Sequence, residues 1–244
     1  MKCRLCLNER VLCKSHIVPE FLFKALYAKE KHQFVQVEGS PKVRKWQKGF
    51  REKMLCRECE DKLNKWETYA AQVFFGGTEL SMEKMNNFII IRDIEYTRFK
   101  LFQLSLIWRA GASKLQQFSN VNLGPHEEKL RSMLVKCNPG EAYEYGCLII
   151  LNPSYFDFTS KMMMLAQETR FDGHRCYMFV LAGFTWVFFI SSHTGQLPYN
   201  EKLFLNSIGL LPVLVENTVS KKFFEKTFYG WKKSGNLSKA IKKI

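Results

Sequence analysis

The chain has 244 residues, of which 46% are hydrophobic and 25% charged, proportions that exclude a disordered chain and are typical of a globular protein. Its 37 Lys and Arg outnumber its 23 Asp and Glu, and the net charge of +14 favours a polyanionic partner, nucleic acid before an anionic membrane. The longest apolar stretch, residues 178–192, is short for a membrane span and is interrupted by Gly183 and Thr185.

The first part of the chain contains two helix patterns separated by a stretch without a clear period. Pro19 suits a first helical turn, and the apolar side chains that follow it share one face. Leu63 and Trp66 belong to a similar buried stripe in the second pattern. The sequence therefore predicts helices over residues 19–30 and 58–75, with a loop or hairpin over 31–53.

A change of character divides the chain after the second of these helices. Residues 74–81 include two adjacent glycines, which predict a hinge. The residues before it are basic and carry paired cysteines, whereas those after it are richer in long apolar patterns. We therefore expect two domains, a cysteine-bearing module over 1–78 and a second domain over 79–244.

The second part combines helix patterns with apolar strands. An apolar helix is predicted over 92–113, and Gly124-Pro125 followed by two glutamates predicts a further helix start, because proline and acidic residues suit a first turn. Strands are expected at 147–152, 160–169, 174–182 and 184–192, with a hairpin turn at 171–173. This order predicts an α+β fold in which an antiparallel sheet has its helices on one side.

The eight cysteines point to metal binding before disulfides. Charged residues interrupt any apolar run at the N-terminus, so no secretory signal is expected and the protein is predicted to be cytoplasmic, where thiols stay reduced. Cys3-x-x-Cys6 and Cys56-x-x-Cys59 supply the four thiolates of a tetrahedral zinc site, in the layout of a treble-clef finger. The alternatives are four buried free thiols, or a site built from Cys3, Cys6, Cys13 and His16.

Three motifs in the first 75 residues resemble a known family. The segments CRLC (3–6), SHIVP (15–19) and LCRECE (55–60) occur in the order found in the zinc-finger-bearing branch of the HNH, or ββα-metal, nucleases. The resemblance implies a one-metal phosphodiester hydrolase in which His16 takes a proton from water. It also implies that Mg²⁺ or Mn²⁺ stabilises the scissile phosphate, while the structural zinc holds the site together.

The motif residues around His16 depart from the family in two places. The family usually has Asp or His before the catalytic histidine, and this chain has Ser15; after the second cysteine pair the family has His or Asn, and this chain has Glu60. Glu60, Asn64 and Glu67 share one face of the predicted helix and are candidate ligands of the catalytic cation. Either the acidic ligand has moved to the helix or the site is inactive, with His16 a packed structural residue.

A basic stretch inside the N-terminal module is the candidate nucleic-acid surface. Cations and aromatic rings alternate there, which suits contact with a phosphate backbone and stacking on bases or sugars. A solvated loop with two packed aromatic residues is the alternative. The candidate residues are Lys42, Arg44, Lys45, Trp46, Lys48 and Arg51.

The expected function is metal-dependent cleavage of nucleic acid, DNA before RNA, and the resemblance suggests a role in anti-phage defence. The main alternative is a zinc-dependent protein that binds nucleic acid without cleaving it, and a further one is a protein-interaction finger. No membrane partner is expected. The sequence leaves open whether the chain forms an oligomer.

Overall fold

The computed structural model describes residues 1–23, 49–160, 163–171, 173–191 and 201–215, together with the backbone of residues 33–36 and 44–46. In chain order, its strands and helices are β1 (Leu12–His16), β2 (Gln33–Gln36), β3 (Arg44–Trp46), β4 (Arg51–Cys56), α1 (Arg57–Phe75), β5 (Met82–Met85), β6 (Phe88–Ile91), α2 (Tyr96–Ala112), α3 (Pro125–Lys136), β7 (Cys147–Leu151), α4 (Phe156–Thr159), β8 (Met163–Phe171), β9 (His174–Leu181), β10 (Phe184–Phe189) and β11 (Leu211–Val215).

The helix limits follow local sequence signals. Pro125 occupies the first turn of α3, Gly124 before it has a φ of 53°, and Cys137 ends the helix in the left-handed conformation. The helix α1 ends before Gly76 and Gly77, whose φ angles are 83° and 122°. The predictions of α1, α2 and α3 are therefore confirmed. Of the helix predicted over 19–30, residues 24–30 lie outside the described part of the chain.

Within the described part of the chain, the main sheet has nine strands in the order β3-β2-β8-β9-β10-β7-β11-β6-β5. Most neighbours are antiparallel, but β2 runs parallel to β8 and β11 runs parallel to β7. The sheet is therefore mixed, whereas the sequence predicted an antiparallel one. The parallel pairs join strands that are distant in the chain, where no tight hairpin imposes an antiparallel direction. The fold is α+β.

The central strands β7, β9 and β10 are buried on both faces of the sheet, and alternate residues point to opposite sides. On β7, Cys147 and Ile149 face the large core that also contains the long helices, while Leu148 and Ile150 face a smaller cluster around Phe204. The long helices therefore pack on one face, as predicted. The smaller cluster covers the other face with the segment that precedes β11.

From Phe99 to Ala110 the helix α2 is buried on all sides and lies between α1, α3 and the sheet, while its first turn has an exposed side that carries Thr97 and Arg98. Two of its buried residues are cations, Lys100 and Arg109, and two more are polar, Gln103 and Ser105. Burial on every side is expected for a helix at the centre of a core. Among the described helices, none combines the length and apolar character needed to cross a bilayer.

The N-terminal segment packs onto the same core as the rest of the chain. A second, two-stranded sheet pairs β1 with β4, and its side chains share one hydrophobic cluster with α1, α2 and α3. Arg4 donates hydrogen bonds to the Ala112 carbonyl at the end of α2 and to Glu52. From α3, Arg131 donates to the Leu5 carbonyl at 2.6 Å. The cysteine-bearing segment is thus held by both long helices of the second part.

Candidate functional site

The four paired cysteines form one cluster. Their Sγ atoms all lie within 4.8 Å of one another, and Cys3, Cys56 and Cys59 are buried while Cys6 is half-buried. Cys56 ends β4 and precedes the first residue of α1, so the second pair sits at the strand-to-helix junction. Four sulfurs at this spacing could bind a metal ion such as zinc. Cys13 is not a member of the cluster.

A tight turn presents the first cysteine pair. The Leu7 N–H donates to the Cys3 carbonyl at 2.9 Å, and Leu7 adopts a φ of 63°. The Arg4 N–H donates to the Met54 carbonyl at 3.1 Å, which ties this turn to β4. The chain therefore brings the two pairs together by backbone hydrogen bonds between the turn and the strand.

The sulfurs lie in an environment that favours a bound cation. Burial raises the pKa of Cys59 strongly, because an isolated buried thiolate is costly. Burial also acts on Cys3, but backbone N–H groups of Cys6, Cys56 and Leu5 donate to its sulfur and lower its pKa to about 7. Four such groups can be ionised together only if a cation balances their charge, which is what a structural metal ion supplies.

His16 ends β1 and faces Arg51, its register partner on β4. The Arg51 Nε–H donates to the Nε2 atom of His16 at 2.7 Å. Burial lowers the pKa of His16, and the positive charge of Arg51 lowers it further. The imidazole is therefore held neutral, as a proton acceptor must be.

The ring of His16 is packed as well as hydrogen-bonded. It lies edge-on to Phe23, with ring centroids 6.3 Å apart. The backbone of Gly49 lies directly against both rings, since a Cβ placed there would be 3.2 Å from His16 Cδ2 and 2.3 Å from Phe23 Cζ. A glycine at this position leaves room for both rings.

Arg109 connects this histidine to the second part of the chain, and the sequence analysis did not identify it. It lies on α2 with 2% of its side chain exposed. Its guanidinium donates to the His16 carbonyl at 2.9 Å and pairs with Glu67 on α1 at 2.6 Å. The guanidinium also donates hydrogen bonds to the carbonyl and the hydroxyl of Ser105. The sequence does contain a signal for this residue, namely a charged side chain inside the apolar run of α2. A charge buried in a core needs a partner.

The three residues proposed as cation ligands have different surroundings. Glu60 shares a hydrogen bond with Ser15, and its pKa is raised by burial. Its Oε1 atom is buried and has no hydrogen-bond partner among the described residues. Asn64 is exposed on the next turn, and Glu67 is engaged by Arg109. One carboxylate oxygen is therefore free in this group.

Ser15 occupies the position where the resembling family carries a metal ligand, and its hydroxyl is committed to other groups. The side chain is fully buried. Its Oγ atom accepts a hydrogen bond from the Leu55 N–H at 3.1 Å and shares a hydrogen bond with the Glu60 carboxyl group. Ser15 thus links β1 to β4 and to the first turn of α1.

The candidate nucleic-acid residues are divided between two places. Arg51 lies beside His16 on β4. Arg44, Lys45 and Trp46 form β3, at one edge of the nine-stranded sheet. Lys42 and Lys48 lie outside the described residues, as does the lysine-rich segment 231–244.

No family model, curated protein or solved structure matches the chain.

Proposed function

We propose that the chain is a metal-dependent nuclease that hydrolyses phosphodiester bonds, with DNA as the favoured substrate. In this proposal the cysteine cluster binds Zn²⁺, and residues 1–78 form a treble-clef module of the HNH type. The observation that carries the proposal is the arrangement around His16. The His16 imidazole accepts a hydrogen bond from the Arg51 guanidinium at one end of the β1–β4 pair. At the other end, the first turn of α1 carries the unpaired Glu60 oxygen next to the four-sulfur cluster.

His16 is the proposed general base. Its neighbours keep the imidazole neutral, which leaves a nitrogen lone pair for a proton from water. Arg109 holds the backbone carbonyl of His16, so the base is fixed to α2, which is the most deeply buried of the described helices. General-base catalysis by a positioned side chain is worth about 10²–10⁴ in rate.

Arg51 is the proposed phosphate contact. It is half-exposed, and its guanidinium can form two parallel hydrogen bonds to one phosphate group. The net charge of +14 supports attraction of the polyanion toward this surface. Arg44 and Lys45 on β3 belong to the same proposed binding function, together with Lys42, Trp46 and Lys48.

A divalent cation, Mg²⁺ or Mn²⁺, would be held by Glu60, whose Oε1 atom is buried and unpaired. When bound, such an ion stabilises negative charge on the phosphate and on the departing oxygen. Mg²⁺ commonly keeps several water ligands and needs only one or two carboxylates, so a single Glu60 oxygen fits a loosely held ion. Glu67 does not fit as a ligand while Arg109 neutralises it. The exposed Asn64 remains available.

The test is plasmid cleavage by the zinc-loaded protein with added Mg²⁺ or Mn²⁺. We expect wild-type protein to nick the plasmid and His16→Ala to lose at least about a hundredfold in rate. His174→Ala is the matched control, because it removes an imidazole at the start of β9 and should cleave normally. Zinc content measured on all three proteins separates a lost base from a lost fold. Equal cleavage by His16→Ala and wild-type protein would contradict the proposal.

A second candidate is a zinc protein that binds nucleic acid without cleaving it. It is favoured by the Glu67–Arg109 ion pair, which removes one acidic ligand from the proposed cation site. On this alternative, wild-type and His16→Ala proteins bind DNA equally, the binding weakens with salt, and no divalent metal produces cleavage.

The Asn64→Ala variant distinguishes the two candidate functions further. It lowers the cleavage rate only if the helix face holds a cation, and as an exposed substitution it should leave stability nearly unchanged.

A further inference from the structure

Arg51 and His16 form a pair in which the cation donates to the histidine. The Arg51 Nε–H points at His16 Nε2 with a donor–acceptor distance of 2.7 Å, as short as a strong hydrogen bond. The two residues are register partners on adjacent strands, so the backbone holds them face to face. An arginine carries no acceptor and cannot lose its proton in a protein. The accepting nitrogen must therefore be unprotonated.

This hydrogen bond determines which tautomer the histidine adopts. Because Nε2 accepts, the single ring proton of a neutral imidazole must reside on Nδ1. The neutral side chain of a histidine in water carries that proton mainly on Nε2. Arg51 thus keeps the Nε2 lone pair present, and at the same time it occupies that lone pair.

The ion pair of Arg51 with Glu20 is weak, so it does not hold the guanidinium in place. Glu20 lies 4.0 Å from the guanidinium, and both side chains are about half exposed, at 48% and 53%. Ion pairs of this length and exposure contribute little. A phosphate offers a charged, bidentate acceptor, and such hydrogen bonds are roughly twice as strong as bonds to a neutral acceptor. A bound phosphodiester would therefore compete well for this guanidinium.

We propose that Arg51 caps the Nε2 lone pair of His16 in the free protein and transfers to the substrate phosphate on binding, which uncovers the base. This rests on the proposed nuclease function and adds to it a control by substrate. Water then gives its proton to the unprotonated ring nitrogen of His16, the resulting hydroxide attacks phosphorus, and the bond from phosphorus to the leaving oxygen breaks. The leaving oxygen keeps the electron pair of that bond and takes up a proton from solvent water. The imidazole is ready to accept only when a phosphate is beside it.

Arg51 is on this account a phosphate-binding and positioning residue, and His16 remains the base. Lys53 provides a matched control. It lies two residues further along β4, on the same side of the strand, and its register partner is Lys14. Lys53→Ala removes one positive charge from this surface while the His16–Arg51 pair stays intact.

The experiment observes the imidazole nitrogens of His16 directly by NMR in ¹⁵N-labelled, zinc-loaded, full-length protein above neutral pH. The probe is a twelve-base-pair DNA duplex with no added divalent metal, so that it is not cleaved. Wild-type and Lys53→Ala proteins should carry the proton on Nδ1, and Arg51→Ala should move most of it to Nε2. Adding DNA should remove Arg51 from Nε2, so the Nε2 signal of the wild-type protein should move toward its position in Arg51→Ala.

DNA affinity completes the test. The Arg51→Ala protein should bind DNA roughly tenfold more weakly than the Lys53→Ala protein, because it has lost a charge-assisted hydrogen bond. A wild-type protein with its proton on Nε2, an Nε2 signal unchanged by DNA, or equal affinities of the two variants would each overturn the exchange. Since Arg51 is half-exposed, Arg51→Ala should fold, and zinc content verifies this. Arg51→Met, which keeps an apolar stem without a donor or a charge, replaces it if it does not.

The outcomes separate this inference from the proposed function. If wild-type protein cleaves DNA with Mg²⁺ but His16 carries its proton on Nε2, the nuclease proposal stands and the exchange is wrong. If wild-type protein neither binds nor cleaves DNA, the proposed function fails, and the exchange fails with it.

Discussion

Two clusters of polar side chains lie at opposite ends of the strands β1 and β4, and they are built in different ways. The cysteine cluster uses four identical groups from two short motifs, and each sulfur is within 4.8 Å of the others. The histidine cluster uses different groups from four elements: His16 on β1, Arg51 on β4, Glu67 on α1 and Arg109 on α2. The first is complete within the N-terminal segment, and the second requires α2.

The difference explains why the two clusters should respond differently to change. A metal ion bound by four thiolates supplies about 10 kcal/mol or more of folding free energy in zinc modules, and removing one ligand removes most of that. The hydrogen bonds and ion pairs of the histidine cluster each contribute far less, since charged groups lose hydration when they pair. With a metal ion bound, stability is expected to depend more on the sulfurs than on the histidine cluster, and the proposed chemistry is expected to depend on the polar network.

Removing one sulfur ligand should have the largest effect. Cys56→Ser is expected to lose zinc and to lower the free energy of unfolding by up to about 10 kcal/mol, which would unfold most domains of this size. Zinc stoichiometry and urea unfolding measure both effects. The control is Cys13→Ser, a half-buried cysteine outside the cluster, which should keep its metal. Full zinc occupancy in Cys56→Ser would show that the cluster is not the metal site.

Breaking the Arg109–Glu67 pair should have the next largest effect. Arg109→Leu leaves the Glu67 carboxylate and the His16 carbonyl without their donor, at a cost of about 3–5 kcal/mol in urea unfolding. Arg98→Ala, on the exposed side of α2, should cost less than about 1 kcal/mol.

The double variant Arg109→Leu/Glu67→Leu makes this prediction sharper. Removing both charges should restore much of the lost stability, because no buried charge is then left alone. Cleavage should stay low in both the single and the double variant, because His16 has lost its support from α2. A double variant with wild-type activity would show that Arg109 does not position the base.

Lys100 gives a reference for a buried cation whose hydrogen bonds go to carbonyl groups. Its Nζ donates to the carbonyls of Ala142 and Tyr145, and burial lowers its pKa to about 8, although the nearby Cys147 and Glu144 act in the opposite direction. In the unfolded chain a lysine titrates near 10.4. Between these values the unfolded state binds more protons, so the free energy of unfolding should rise with pH, by roughly 3 kcal/mol in total.

The readout for Lys100 is a difference between two proteins, because tyrosines also titrate at high pH. Urea unfolding of wild-type and Lys100→Met proteins is compared at several pH values between about 7.5 and 10.5. The wild-type protein should gain stability relative to the variant as the pH increases. Parallel curves would mean that Lys100 titrates normally and is not desolvated.

Filling the space at Gly49 should have the smallest effect on stability and a larger one on the proposed activity. In Gly49→Ala the new methyl group would lie 2.3 Å from the Phe23 ring, so that ring must move. Overpacking of this kind costs about 1–3 kcal/mol. The His16 ring packs edge-on against Phe23 and should shift when that ring moves. The shift should lower the cleavage rate while the zinc content stays normal. An unchanged cleavage rate would indicate that the ring position is not critical.

By itself, the sequence determined the parts of this protein that depend on neighbouring residues. The limits of α1 and α3 follow from local glycine and proline, and the strands β7 to β10 follow from short apolar runs between turns. The cysteine pairs are recognisable because two residues between thiolates suit one ion wherever the pairs occur. The long helix α2 was identified from its apolar length, although its buried cations were not.

Only the tertiary structure decided how distant segments meet. The strands β5, β6 and β11 were not predicted, and β2 and β11 add the two parallel pairs that make the sheet mixed. Arg109 contacts His16 across most of the first half of the chain, and the Ser15–Glu60 and Glu67–Arg109 contacts likewise join separate elements. Local propensity carries no information about such pairs, because their free energy comes from burial and from charge partners that exist only once the helices have packed.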